Sequence, residues 1–304
     1  MYAIECSNLT KTYQRGAPPA VDRLSLRIEP QQVFGFLGRN GAGKTTTIRL
    51  LLDLIRPTEG EVRLFGEPVR GNPKARQTTG AMVEGASFYP YLSAWDNLRV
   101  YQWTSGEFDT HRADRLLEII GLKAYANQKV STFSTGMKQR LGIAATLLHD
   151  PQLIILDEPT NGLDPAGIKG MRQFIRSLVD EQGKTVFLSS HLLGEVQSIC
   201  DRVAIIQSGK LIQEGRVEEM VGAVGSHQLR LEATPIEKVR EILLTELWQI
   251  QETDHPNQLI ISQVGHDDIP KLAQLLVNAG VLIYRLDPLQ LTLEDYFFSI
   301  TEGS

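Results

Sequence analysis

An α/β fold followed by a smaller α+β unit is predicted by three features of the sequence. The stretch Gly38-Arg39-Asn40-Gly41-Ala42-Gly43-Lys44-Thr45 lies between a short apolar run, Gln32 to Leu37, and a segment with helical apolar spacing. Leu153-Ile154-Ile155-Leu156-Asp157-Glu158 is an apolar run ending in two acids. That is the pattern of a buried parallel strand with carboxylates at its C-terminal edge. After Gly222 such motifs stop, and strands and amphipathic helices follow in the order β-α-β-β-α-β.

Length and composition narrow the possibilities. A chain of 304 residues is long enough for two domains, and 42% hydrophobic with 22% charged residues is ordinary for a globular protein. A net charge of -5 and a pI near 5.8 give no overall positive field to attract nucleic acid or anionic lipid. No run approaches the ~18 apolar residues that a spanning helix needs. Met1-Tyr2-Ala3-Ile4-Glu5-Cys6 lacks the basic-then-apolar order of a secretion signal. Cys6 and Cys200 supply neither a disulfide framework nor metal spacing and read as core thiols in a reducing compartment. A cytoplasmic location is expected.

Taken in order, Tyr2 to Ser7 and Arg23 to Ile28 read as strands, with Arg15-Gly16-Ala17-Pro18-Pro19 a turn between them. Tyr13, in that loop, fits either a packing role or stacking against adenine. Gly38 to Thr45 is the pattern G-x-x-x-x-G-K-T. Its glycines let the backbone aim several N–H groups into one concavity, and the helix that follows adds its positive end. Lys44 can reach the β- and γ-phosphates of a nucleotide, and Thr45 offers a hydroxyl to Mg²⁺. The helix is expected from Thr45 to Ile55, stopped by Pro57.

Glu61 to Leu64 reads as a strand and Thr79 to Glu84 as a buried strand ending in a carboxylate. The loop Gly85 to Ser93 carries Phe88, Tyr89 and Tyr91, placed either on the chain's own core or toward a partner. Helices follow from Ser93 to about Leu148, broken at Gly106 and Gly121. Ser134 with Gly136 opens one of them, as an ordinary cap or as an anion site. At the end of the 153–158 run, Asp157 suits Mg²⁺ and Glu158 suits the activation of water. After a turn-rich loop through Asp164, a helix from Ala166 to Asp180 leads to the strand Thr185 to Ser190. His191 ends that strand, either structural or a hydrogen-bond donor to a γ-phosphate. Residues 203–207 and 210–214 form a hairpin around Ser208-Gly209.

In that order, over residues 2 to about 220, the chain resembles the ATP-binding subunits of ABC transporters, which are P-loop NTPases with a helical subdomain (here about 86–150). The resemblance implies an ATP site with Tyr13 on the adenine and Gly38, Asn40, Gly41, Ala42, Gly43, Lys44, Thr45 and Thr46 on the phosphates. Thr45, Glu84 and Asp157 would hold Mg²⁺. Glu158 falls on the general base and His191 on the switch histidine. Ser134, Gly136 and Asp164 match the signature and D-loop residues that complete the site of a second copy. Thr135 departs from the family's Ser-Gly-Gly.

The departure at Glu84, where most of the family has glutamine, resembles the branch that exports bacitracin, lantibiotics and related peptides. The Phe88-Tyr89-Pro90-Tyr91 run is also similar to that branch, and in the family this segment abuts the membrane subunit. The implied partners are a second ATPase copy, identical or related, and a separate integral membrane permease, with no nucleic acid. The implied place is the inner face of the cell membrane. Soluble ABC ATPases of ribosome or DNA, and importer subunits, are the alternatives; the acidic balance opposes the first and Glu84 the second.

The C-terminal part, residues 222–304, is expected to be ferredoxin-like. Its strands are 227–232, 248–252, 259–262 and 281–286, and its helices are 235–246 and 269–278 with a closing helix at 292–298. His227, His255 and His266 read as surface or turn residues. With no cluster able to carry chemistry, a dimerisation or regulatory role is expected.

Overall fold

Residues 1–85, 87–103, 108–223, 228–265, 267–289 and 292–301 are described by the structure, a computed structural model. Gly106, His227 and His266 lie outside them. The chain divides into two units, Met1–Val217 and Glu218–Ser304.

The first unit begins β1 (Ile4–Lys11), β2 (Val21–Ile28), β3 (Val33–Leu37), α1 (Lys44–Leu51), β4 (Glu59–Leu64), β5 (Glu67–Pro68), α2 (Pro73–Gln77) and β6 (Thr79–Met82). The helical section holds α3 (Ala94–Trp103), α4 (Thr110–Ile119) and α5 (Thr135–Thr146). Then come β7 (Leu153–Asp157), α6 (Pro165–Asp180), β8 (Thr185–Ser190), α7 (Leu193–Ile199), β9 (Arg202–Gln207) and β10 (Lys210–Arg216). The second unit is formed by α8 (Val217–Ala223), which begins at the boundary, β11 (Leu229–Thr234), α9 (Ile236–Thr245), β12 (Gln249–Glu252), β13 (Gln258–Ser262), α10 (Asp268–Asn278), β14 (Leu282–Pro288) and α11 (Leu293–Thr301).

Two sheets organise the first unit. One is antiparallel, in the order β2-β1-β4-β5; the other runs β10-β9-β3-β8-β7-β6 and is parallel except for β10. The middle strands β3, β7 and β8 are buried at every residue, which explains why they read as unbroken apolar runs rather than alternating ones. α1 contributes Ile48 and Leu51 to a core that also takes Ile4, Leu24, Phe36 and Phe187 from both sheets. The helix carrying Lys44 and Thr45 is therefore anchored by burial along its inner face.

α1 ends earlier than the apolar spacing predicts. Asp53 turns left-handed at φ 56, and the amides of Leu54 and Ile55 donate to the Arg49 carbonyl. Ile55 still packs on the core, but from the turn after the helix. The short helices α2, α7 and α8 carry no periodic signal long enough to read from sequence. Gly121, at φ 69, closes α4 as its place in the sequence suggests.

Both cysteines are buried. Burial pushes the Cys6 thiol up to about 12 and raises that of Cys200 well above its ordinary value. Neither should react with a maleimide at neutral pH until the protein unfolds, because the nucleophile is the thiolate. Mass spectrometry before and after denaturant reads this directly; labelling of the native chain would contradict the packing described.

In the second unit the strands lie in the order β12-β13-β11-β14, all antiparallel. β11 buries Leu229, Leu231 and Ala233 on one face, against Val239 and Leu243 of α9 and Leu272 and Leu276 of α10.

Candidate active site

The phosphate-binding pattern sits where topology makes a crevice. β3 lies between β9 and β8, and β7 follows β8, so their C-terminal ends come together. Register lines up Leu37 with Ser190, and Asp157 with Ser189. The loop after β3, the acids after β7 and His191 after β8 thus meet because adjacent parallel strands end at one level.

Within the loop, Gly43 is at φ 107, and a Cβ there would stand 2.4 Å from the Ala20 carbonyl oxygen. Both facts require glycine. Ala42 is buried and accepts a hydrogen bond from the Gly209 amide through its carbonyl, 2.9 Å away. Asn40, Gly41, Gly43, Lys44, Thr45 and Thr46 border a cavity of about 350 Å³, together with Ala20 and Glu158. Gly38 connects to the site through its carbonyl, which accepts from Lys44 Nζ at 2.7 Å.

Lys44 is 6% exposed, and its ammonium also lies 3.2 Å from Glu158 Oε1. Glu158 Oε2 is 2.8 Å from His191 Nδ1. Lysine, glutamate and histidine therefore form one connected chain across the crevice. Asp157 is 5% exposed; it accepts from Thr45 Oγ1 at 2.9 Å and from Ser189 Oγ at 2.5 Å. Glu158 takes the left-handed conformation at φ 50, which costs a non-glycine residue ~1–2 kcal/mol. Such strain is stored where geometry is needed, and here it turns the carboxylate off the strand toward Lys44.

Tyr13 is exposed, with its hydroxyl 3.5 Å from Thr46 Oγ1 and Lys11 Nζ 5.2 Å from its ring centroid. It stands beside the phosphate loop through Thr46. Glu84 is placed differently from the expectation that groups it with Thr45 and Asp157. β6 ends at Met82, the backbone turns left-handed at Glu84 and Gly85, and the 61% exposed carboxylate meets Arg49 Nη2 at 2.5 Å. The Arg49 guanidinium is held above its ordinary range, first by the hydrogen bond and charge of Glu84 and then by Tyr13.

Ser134, Gly136 and Asp164 form a second cluster. They border another cavity, of about 640 Å³, which shares no lining residue with the first. Ser134 Oγ accepts from the Met137 amide at 3.2 Å and caps α5; Asp164 Oδ1 accepts from the Gly167 amide at 3.1 Å and caps α6. Both are ordinary caps within this chain. The residues expected to complete the site of a second copy thus border a hollow of their own, apart from the phosphate loop.

Three residues of the site had no motif to mark them. Ser189 is fully buried, donates to Asp157 and accepts from the Glu158 amide at 3.0 Å. Gln139 Nε2 donates to the Glu158 carbonyl at 3.4 Å, and Arg49 holds Glu84. The two serines ending the apolar strand at 185–190 were the available signal, since a buried hydroxyl needs a partner. Ser189→Ala strips one contact from each acid and should cost about 1–3 kcal/mol in chemical denaturation. No measurable loss would show that water replaces the hydroxyl.

A glycine-rich loop between a parallel strand and a helix, with buried lysine, helix-start threonine and strand-end acids at adjacent positions, is the site of a P-loop nucleoside triphosphatase. Residues 21–161 match the family described as ABC transporter. The bacitracin transport ATP-binding protein BcrA of Bacillus licheniformis is 40% identical over 302 residues, spanning 99% of this chain and 97% of that protein. The protein of the same name from Enterococcus faecalis is 34% identical over 307 residues, spanning 99% and 97%. The chain belongs to the ABC transporter ATP-binding proteins and is an ABC-type ATPase. Among solved structures, the ATP-binding cassette MJ0796 in a dimeric post-hydrolysis state with ADP and Pi superposes with a TM-score of 0.63. It is 26% identical and covers 70% of this chain and 98% of its own. Among the described residues no helix is long and apolar enough to cross a membrane.

Proposed function

We propose that this chain is the ATP-hydrolysing subunit of an exporter of antimicrobial peptides or related drugs. It closes with a second ATPase copy around Mg-ATP and drives a separate membrane permease, from the inner face of the cell membrane. The observation that carries the reading is the likeness, over nearly the whole chain, to proteins named for bacitracin transport. Glu84 and the exposed Tyr89 and Tyr91 support the same branch.

In this reading the loop amides and Lys44 hold the phosphates, and Tyr13 stacks on adenine. Glu158 takes the proton of the attacking water while His191 holds Glu158 in place. The Mg²⁺ site fits the donors present. Thr45 and Asp157 offer a hydroxyl and a carboxylate, hard oxygens already in contact at the start of α1. Among the described residues no group of three or more acids, cysteines or histidines could hold a metal by itself. Phosphate oxygens and water would complete the shell, with Glu84 as a further ligand; the ion would neutralise charge on the transferred phosphoryl group.

The separation of the two hollows supports a two-copy site, with Ser134, Gly136 and Asp164 of one copy facing the phosphate loop of the other. Light scattering on Glu158→Gln tests it: Mg-ATP should convert monomer to dimer. A monomer at saturating Mg-ATP would contradict self-pairing and leave a related ATPase as the second copy. The cavity lined by Ala81, Val83, Gly85, Tyr101 and His149 would, in this reading, face the permease. We read the C-terminal unit as a ferredoxin-like dimerisation or regulatory module, on the strength of its strand order.

A further inference from the structure

Two cations of α1 meet two acids that follow neighbouring parallel strands. Lys44 meets Glu158 at 3.2 Å, and Arg49 meets Glu84 at 2.5 Å. In the parallel β6–β7 pair Met82 lies opposite Leu156, and Glu84 and Glu158 each follow two residues on, beyond the paired segment. Both acids depart from their strands left-handed, at φ 57 and 50. Glu84 is thus presented to α1 much as Glu158 is. Its cation, however, is Arg49, one helical turn beyond Thr45.

We propose that Arg49 is a positioning residue that holds the Glu84 carboxylate away from the Thr45–Asp157 pair, so that Glu84 joins the nucleotide-bound cation only when the Arg49–Glu84 pair opens. This rests on the assignment of Glu84 as a Mg²⁺ ligand above. Residues four apart on a helix share a face, with Cβ atoms ~5–6 Å apart, so a swing from Arg49 toward Thr45 spans about one turn. A charged carboxylate bonds guanidinium far more firmly than a neutral amide would. The device therefore belongs to glutamate at position 84: in a Glu84→Gln chain Arg49 has little to hold.

Four proteins test this: wild type, Arg49→Gln, Glu84→Gln and the double variant. The readout is the Mg²⁺ concentration that half-saturates binding of a fluorescent, slowly hydrolysed ATP analogue, with thermal melts to confirm folding. Removing a positive charge near the cation acts equally in both backgrounds and cancels in the double-mutant cycle. Beyond that common change, Arg49→Gln should lower the half-saturating Mg²⁺ about twofold to fivefold with Glu84 present, and not at all in the Glu84→Gln background. Arg49→Lys should restore most of the wild-type value. Equal shifts in both backgrounds, or a rise with Glu84 present, would overturn the proposal while leaving the nucleotide site standing. If wild-type binding does not depend on Mg²⁺, the cation assignment falls and the proposal with it.

Discussion

Glu158→Gln should keep ATP bound and slow its hydrolysis about a hundredfold to ten-thousandfold, the range for loss of a general base. The amide is nearly the same size, so the phosphate loop and the Lys44 contacts to Gly38 and Arg39 remain. What disappears is an acceptor for the proton of water, at a carboxylate held between Lys44 and His191. Single-turnover hydrolysis of labelled ATP, beside equilibrium binding on the same preparation, separates the two effects. Wild-type turnover in this variant would remove Glu158 from the chemistry and turn attention to His191.

Lys44→Ala should do the opposite. Charge-assisted hydrogen bonds contribute about 1.5–3 kcal/mol, so losing the ammonium should weaken ATP binding about tenfold to a hundredfold. The variant also deprives Glu158 of its nearest fixed cation in a crevice where Lys44 is almost wholly buried. Calorimetric titration with ATP reads the loss. Unchanged affinity would mean that backbone amides alone hold the phosphates, and that Lys44 serves chiefly to pair with Glu158. Together the two variants divide binding from hydrolysis.

Much of the crevice was legible because its parts are local. A strand, a glycine turn and a helix start are contiguous between Val33 and Leu51, and the 153–158 run states both its burial and its acids. What the sequence hid was placement across distance. Ser189 meets Asp157 only because β7 and β8 pair in that register, and nothing near Arg49 announces that Glu84 will arrive beside it. The misplaced ends have local causes. β6 stops at Met82 because two left-handed residues follow, and α1 stops at Leu51 because Asp53 reverses the chain; neither glutamate nor aspartate marks a positive φ as glycine does. The division of the site residues into two hollows was legible through the family resemblance and not from order, since Ser134 and Asp164 flank the very strand that carries Asp157.

In the function proposed, this ATPase works on a membrane permease. The most direct test is to tag the chain in its own cells, extract membranes with mild detergent and identify what is retained. A polytopic membrane protein in near-stoichiometric amount, with or without a related ATPase, is the expected result. Ribosomal proteins, DNA-bound factors or the chain alone would contradict it, and the same engine would then have to be read as that of a soluble ABC ATPase.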